Sequence, residues 1–323
     1  MKLVSCREFA PLDQLQVVEV PEPDVKKNMV RIRNTAIGVN YPEGLLVQGL
    51  YQMKPPLPFT PGMEAAGVID AVGEGVTQFK VGDKVAALLT LGAYAEKIVV
   101  HHSMVMPLPD FISEQHATAL MCGYGTSHHA LKQRAQLQPG ETLLVLGAGG
   151  NTGTAAVEIG KAMGARVIAV ASTQEKLDLA KKLGADQTIL NSDKLGDDIK
   201  ALVKHKGVDV VFDPIGGDSF DACVRRMAWN GRYLVVGFAA GRIPQLPVNL
   251  ALVKGFSLMG VFWGSFVQKQ AKDYQANQQE LFKWYEEDLI HPHIDKVYKL
   301  DDVSTALSDV LNRKVMGKVV LAP

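Results

Sequence analysis

The chain has few of the residues that build covalent or metal frameworks. Its 323 residues include three cysteines, Cys6, Cys122 and Cys223, far apart and never as a CxxC pair. Such cysteines fit a reducing cytosol better than a disulfide framework. Net charge is missing too, with 34 Lys+Arg against 34 Asp+Glu and no basic run. Such a chain has no electrostatic hold on nucleic acid or an anionic membrane surface. No apolar stretch approaches the ~18 residues of a membrane span. The opening Met1-Lys2-Leu3-Val4-Ser5-Cys6-Arg7-Glu8 carries charge too early for a signal peptide. Three pairs of histidines occur, His101-His102, His128-His129 and His291 with His293, but none has HExxH spacing. Neighbouring side chains diverge on a helix or strand, so these read as surface or core histidines. A soluble, cytoplasmic protein is expected.

With 47% hydrophobic residues the chain can bury two cores, and its length suits about two domains. Two textures divide it. Residues 1–122 hold short β-like runs (17–20, 29–34, 67–72, 84–89, 96–100) separated by Pro and Gly turns. Residues 123–262 alternate strand and helix, with strands expected at 143–146, 167–171, 187–190, 208–213, 232–236 and 256–262. That rhythm implies βαβ units and a doubly wound parallel sheet. A Gln-rich helical stretch (266–288) and a last strand, Lys318-Val319-Val320-Leu321, follow. The last strand is expected to return to the first domain. The fold class is therefore α/β, with 1–122 and 263–323 forming one domain and 123–262 the other.

The most informative segment is LLVLGAGGNTG at 143–153, in which Gly147, Gly150 and Gly153 follow an apolar strand and open a helix. Ala155, Ala156, Ile159, Ala162 and Met163 lie at helical spacing after it, so one face can bury against a sheet. Strand, glycine turn and helix start together form an anion-binding device, because backbone N–H groups and the helix dipole converge on a pyrophosphate. A dinucleotide is expected there. An acid closing the second strand would bind a ribose 2′-hydroxyl and repel a 2′-phosphate. That strand ends Ala169-Val170-Ala171-Ser172-Thr173, with no acid. Glu175 is expected in a capping box with Ser172 as N-cap. Ser172 and Lys176 then remain to offer a hydroxyl and a cation, and NADPH is favoured over NADH.

Further motifs are Gly38-Val39-Asn40, Gly49-Leu50-Tyr51, Pro61-Gly62-Met63-Glu64-Ala65-Ala66-Gly67 and Val81-Gly82-Asp83-Lys84-Val85. Gly92-Ala93-Tyr94-Ala95-Glu96, Asp213-Pro214-Ile215-Gly216-Gly217, Gly231–Gly237 and Gly317–Leu321 complete the set. Together with the glycine turn they resemble the medium-chain dehydrogenase/reductase superfamily, in its zinc-free quinone oxidoreductase (zeta-crystallin-like) branch, over essentially the full length. The resemblance implies a GroES-like domain built from both chain ends, a Rossmann domain, a cleft between them, and a homodimer through Rossmann edge strands, with Ser257–Phe262 as the candidate edge. It also implies that Asn40 and Tyr51 meet the substrate and that Thr126 meets the nicotinamide. Asn40 would donate to the developing anionic oxygen, and Tyr51 would supply a proton. By the same resemblance Gly147, Gly150, Asn151, Thr152 and Gly153 hold pyrophosphate and Gly237 and Phe238 flank the nicotinamide half. Lys318 reaches back to the cofactor, Phe262 and Trp263 wall the pocket, and Asn191 stands where many relatives carry a tyrosine near adenine. Val47 and Glu43 replace an arginine and an aspartate of several relatives.

In zinc-dependent relatives the catalytic metal is held at positions matching Asn40, Met63 and Cys122. An amide and a thioether are poor zinc ligands, and three cysteines cannot form a four-cysteine structural site. No metal is expected. The acceptor is therefore one already activated for hydride, a small-molecule quinone or an enone. Quinone reduction, reduction of α,β-unsaturated carbonyls or enoyl thioesters, and cofactor binding with little turnover all remain open at this point.

Overall fold

A computed structural model describes all 323 residues. By its contacts the chain divides into two compact units, Met1–Cys122 with Pro292–Pro323, and Gly123–His291.

The first unit is GroES-like, a β structure whose seven-stranded sheet is built around strand Met29–Val39. Burial alternates along that strand and then becomes continuous, as it must where one face and then both faces are covered. Strand Glu64–Val72 pairs antiparallel on one side, followed by Lys84–Leu88 and Val105–Pro107. On the other side the terminal strand Lys318–Ala322 returns to the sheet, with Val319 opposite Val39 and Leu321 opposite Ile37. The core between strands and the helix Val303–Leu311 includes Val30, Ile32, Ile37, Ile69, Val85 and Leu307.

The second unit is a Rossmann-like parallel sheet of six strands. In space they run Gln187–Leu190, Arg166–Ala171, Thr142–Leu146, Val208–Asp213, Met227–Val235, Ser257–Gly260. Numbered along the chain that order is 3-2-1-4-5-6, so the winding reverses between Thr142–Leu146 and Val208–Asp213. Ligands of doubly wound sheets bind beyond the strand ends at that reversal. All five residues of Thr142–Leu146 are buried, which the unbroken apolar run requires of a central strand.

The domain boundary differs from the sequence expectation after residue 262. Helices Trp263–Lys269 and Ala271–Glu286 belong to the second unit, not the first. Side-chain contacts explain why. Gln133 and Asn277 exchange hydrogen bonds, His128 Nε2 meets Glu280 Oε2 at 2.8 Å, and the His129 ring stacks on Phe266 at 3.8 Å. Burial pushes His128 down to about 4, so it packs as a neutral ring. No helix is long and apolar enough to cross a membrane.

Candidate active site

The glycine turn lies at the reversal of the sheet. Gly147 has φ +63°, a left-handed conformation that glycine adopts without penalty. Gly153 is needed for another reason: a Cβ there would lie 2.1 Å from the Gly147 carbonyl oxygen. Helix Asn151–Ala162 starts from Gly150, which is exposed and has no side chain to cap the first N–H groups. Only the Gly147 oxygen, at 3.5 Å, approaches the place a Gly150 Cβ would occupy. An open cradle at a helix N-terminus fits a pyrophosphate, because the first N–H groups of a helix point out along its axis and its dipole favours an anion.

The surrounding turns buttress this cradle. Asp213 closes the neighbouring strand, and its Oδ1 accepts from the N–H groups of Ile215 and Gly216 at 2.8 Å each, while Tyr233 OH donates to Oδ2 at 2.7 Å. The turn so shaped lays Ile215 against Gly147. Phe238 packs on Gly216, and the Gly237 N–H reaches the Asp213 carbonyl at 3.3 Å. At the next strand end, Lys176 sits in the first turn of helix Gln174–Lys182, with its methylene stem over Gly149. Ser172 and Asn191 are exposed at the ends of adjacent strands, joined by the Asn191 N–H to the Ala171 carbonyl at 2.8 Å. One local expectation fails. The N-cap is Thr173, whose hydroxyl accepts from Lys176 N at 3.4 Å, so Ser172 and Glu175 form no capping box. The cap is set by the residue whose backbone is extended (φ −140°, ψ 158°), and that is Thr173.

Thr126 lies within helix Gly125–His129 rather than at a capped helix start. Its neighbour Ser127 donates to the Thr152 carbonyl at 2.8 Å. Gly123 backs onto Asn151, whose Oδ1 lies 2.4 Å from where a Gly123 Cβ would be. Tyr124 OH donates to Glu158 Oε2. Phe262 is 68% exposed, whereas Trp263 packs edge-on against Tyr274 and beside Gly125. The two residues expected to wall the pocket thus have different surroundings, Phe262 exposed and Trp263 half-buried against its own unit.

In the first unit, motifs far apart in sequence meet in one buried polar cluster. Asn40 ends strand Met29–Val39 and caps helix Tyr41–Val47, with Glu43 closing the capping box. The Glu43 carboxylate accepts from Asn40 N at 2.6 Å, Tyr94 OH at 2.6 Å and Met63 N at 2.8 Å. Burial nevertheless pushes Glu43 up to about 7. Glu64 Oε1 accepts from Asn40 Nδ2 at 2.9 Å and from the Lys318 ammonium, which also donates to Asn40 Oδ1 at 2.8 Å and the Val39 carbonyl at 3.3 Å. Gly38 must be glycine here, because a Cβ would fall 2.0 Å from Glu64 Oε1.

One expectation changes accordingly. Lys318 is 1% exposed and directs three hydrogen bonds inward, so it anchors the last strand rather than reaching out to a cofactor. Glu43 is the hub of the cluster, and Val47 packs with Cys6, Leu46 and Phe59. The Asn40 amide is oriented unambiguously, since lysine can only donate to its oxygen and the carboxylate can only accept from its nitrogen. Tyr51 is half-buried, and burial together with Cys122 raises its phenol above the ordinary range. No three His, Cys, Asp or Glu side chains converge in a metal-ligand arrangement.

Comparison with known proteins agrees with this architecture. The family described as "Alcohol dehydrogenase GroES-like domain" matches residues 26–110, and "Zinc-binding dehydrogenase" matches 152–282. Rat "Quinone oxidoreductase-like protein 2" is 38% identical over 310 residues, covering 95% of this chain and 89% of its own. The Pseudomonas aeruginosa "Quinone oxidoreductase" is 35% identical over 299 residues, 91% of each chain. The chain belongs to the medium-chain dehydrogenase/reductase superfamily, among the quinone oxidoreductases. Among solved structures, the Escherichia coli quinone oxidoreductase complexed with NADPH superposes with a TM-score of 0.93 at 27% identity, covering 100% of both chains. A probable oxidoreductase from Mycobacterium abscessus gives 0.90 at 36% identity, covering 100% of this chain and 99% of that one.

The sequence reading missed Glu158, Tyr124 and Asp213 as supports of the site. A signal existed for Glu158: it is a lone acid on the apolar helix that follows the glycine turn.

Proposed function

We propose that this protein is an NADPH-dependent quinone reductase that works without zinc. The observation that carries the reading is the open glycine cradle at the sheet reversal, in a chain related along nearly its whole length to quinone oxidoreductases. NADPH, when bound, would supply the hydride, so that quinone, NADPH and one proton give hydroquinone and NADP⁺. The chain's part is placement. The N–H groups of Asn151, Thr152 and Gly153 receive the pyrophosphate, and Ser172 and Lys176 receive the 2′-phosphate. Asn191 lies toward adenine. Thr126, Gly237 and Phe238 seat the nicotinamide half, with Phe262 at the rim. Asn40 and Tyr51 are the polar groups offered to the acceptor: Asn40 with its amide orientation set by Lys318 and Glu64, Tyr51 as a phenol kept protonated.

Absence of zinc rests on donor chemistry. The matching positions offer an amide already engaged by Lys318 and Glu64, a thioether and a single thiol. A homodimer is part of the same reading. Strand Ser257–Gly260 pairs on one side only, and Leu252 (82% exposed), Val253 (73%) and Leu258 (44%) lie on or just before it. Such an edge is closed by a second copy.

The test is NADPH oxidation by the purified, metal-analysed protein with phenanthrenequinone and with a medium-chain enone. Faster turnover of the quinone is the expected result. Tyr51 favours enone reduction as a second reading, because an enone needs a proton after hydride addition and a protonated, half-buried phenol stands available. Dominant enone turnover would establish that reading. NADPH binding without turnover of either would leave a cofactor-binding protein.

A further inference from the structure

The chain enters the second unit at Gly123 and leaves it at His291. One buried carboxyl group holds both passages. Glu158, on the helix that opens from the glycine turn, is 6% exposed. Its Oε2 accepts from Tyr124 OH, one residue after the entry, and its Oε1 accepts from the His291 backbone N–H at 3.0 Å, at the exit. Tyr124 is itself 1% exposed and ends a π-helical turn, Leu120–Tyr124. Wide turns of this kind interrupt regular helices and recur at functional positions. Two further contacts bind the same segment to the same helix. Ser127 Oγ donates to the Thr152 carbonyl, and Gly123 leaves just enough room for Asn151. Thr126 stands between these rivets.

A buried carboxylate and phenol are costly to keep out of water, and the hydrogen bond they share is the compensation. An apolar pair would pack as well without that cost. What the polar pair adds is direction: a carboxylate–phenol bond permits one distance and a narrow range of angles, whereas apolar side chains slide.

We infer that Glu158 and Tyr124 are positioning residues for hydride transfer, fixing the segment that carries Thr126 against the helix that receives the pyrophosphate. The inference rests on the proposed seat of the nicotinamide at Thr126. The pyrophosphate and the nicotinamide would then be held by one rigid body, and the reacting carbon would be placed by a residue pair that never touches it. Small displacements of a reacting centre are expensive: about 1 Å can lower a rate by about 10²-fold.

Tyr124→Phe keeps the ring and removes only the donor. It should speed amide exchange in residues 123–129 of the cofactor-free protein and alter the emission of bound NADPH. It should also lower kcat about tenfold with the KM for NADPH nearly unchanged. The deuterium isotope effect from NADPH labelled at C4 should rise as transfer becomes rate-limiting. Glu158→Gln should do the same, and the double substitution should be no worse than either alone, because the two residues act through one bond. If Tyr124→Phe fails to fold, Glu158→Gln carries the test. Faster exchange with unchanged kcat, emission and isotope effect would mark the bond as purely structural and overturn the inference. Unchanged exchange would overturn it as well. Thr126→Val separates the underlying reading: silence in both emission and kcat would remove the nicotinamide from Thr126, and the inference with it. An effect there combined with silent Tyr124 and Glu158 variants would sink the inference alone.

Discussion

Protonation of Glu43 should make the first unit lose stability as pH rises, the opposite of the usual behaviour of a salt-bridged carboxylate. Glu43 is fully buried, and burial lifts it from an ordinary 4.5 to about 7. An acid whose folded-state pKa lies above its unfolded value binds more protons folded than unfolded between those two values. Stability is then fully present below the unfolded pKa and is lost as pH climbs through the folded one. A difference of about 2.5 units at 1.36 kcal/mol each amounts to about 3 kcal/mol across that window. The geometry opposes this shift without cancelling it. Asn40 N and Met63 N can only donate, whereas Tyr94 OH can accept instead, so the proton on Glu43 belongs on the oxygen facing Tyr94.

The assay is denaturant unfolding from about pH 5 to about pH 8, with amide exchange resolving the two units because a two-unit chain need not unfold in one step. Glu43→Gln removes the titration. Relative to wild type, the variant should gain about 3 kcal/mol in the first unit over that range, while the second unit, where Glu158 is also raised to about 7, keeps its own slope. Wild type and Glu43→Gln running parallel in the first unit would show that Glu43 stays ionised throughout and would refute the reasoning.

Other substitutions test the site at separate points. Gly153→Ala places a methyl 2.1 Å from the Gly147 oxygen and should abolish NADPH binding by calorimetry while leaving the first unit folded; retained affinity would show that the turn can open. Lys176→Glu should weaken NADPH more than NADH, because the charge reversal acts on the extra phosphate, and equal losses would remove Lys176 from that phosphate. Lys318→Met strands Glu64, whose second oxygen has no hydrogen-bond partner, and should cost about 3–5 kcal/mol. Adding Glu64→Gln to that variant should recover most of the loss, and a purely additive cycle would mean the two are not coupled.

What was legible in the sequence followed from periodicity. The central parallel strands, 143–146 and 167–171, appear as unbroken apolar runs because a central strand is covered on both faces, and the glycine turn declares itself because only glycine tolerates its backbone. What was hidden depends on partners distant in sequence. Lysine is ordinarily solvated, and nothing local reveals that Lys318 pairs with Glu64, 254 residues away. The helical stretch after residue 262 looks polar because Asn277 and Gln278 lie on its buried face, 2% and 0% exposed, so its allegiance to the second unit could not be read from apolar pattern. Ser172 and Thr173 are adjacent hydroxyls, and only the backbone angles decide which one caps.

One rule would nevertheless have singled out the three buried glutamates. Glu43, Glu64 and Glu158 each interrupt a stretch of otherwise apolar or small residues: Tyr41-Pro42 before Leu45-Leu46-Val47, Met63 before Ala65-Ala66-Gly67, and Ala155-Ala156-Val157 before Ile159-Gly160. An acid at such a place must either turn outward, exposing its neighbours, or remain inside and acquire donors. All three remain inside, and each gathers donors from segments the sequence does not connect: Met63 and Tyr94 for Glu43, Asn40 and Lys318 for Glu64, Tyr124 and His291 for Glu158. Because a buried acid can be satisfied only by groups delivered at fixed distances, these three positions constrain the long-range assembly of each unit more tightly than the apolar contacts around them. Replacing any one of them by leucine of similar volume should therefore cost registry before it costs packing: native secondary structure would persist, while amide protection fell at the donor segments named for that acid.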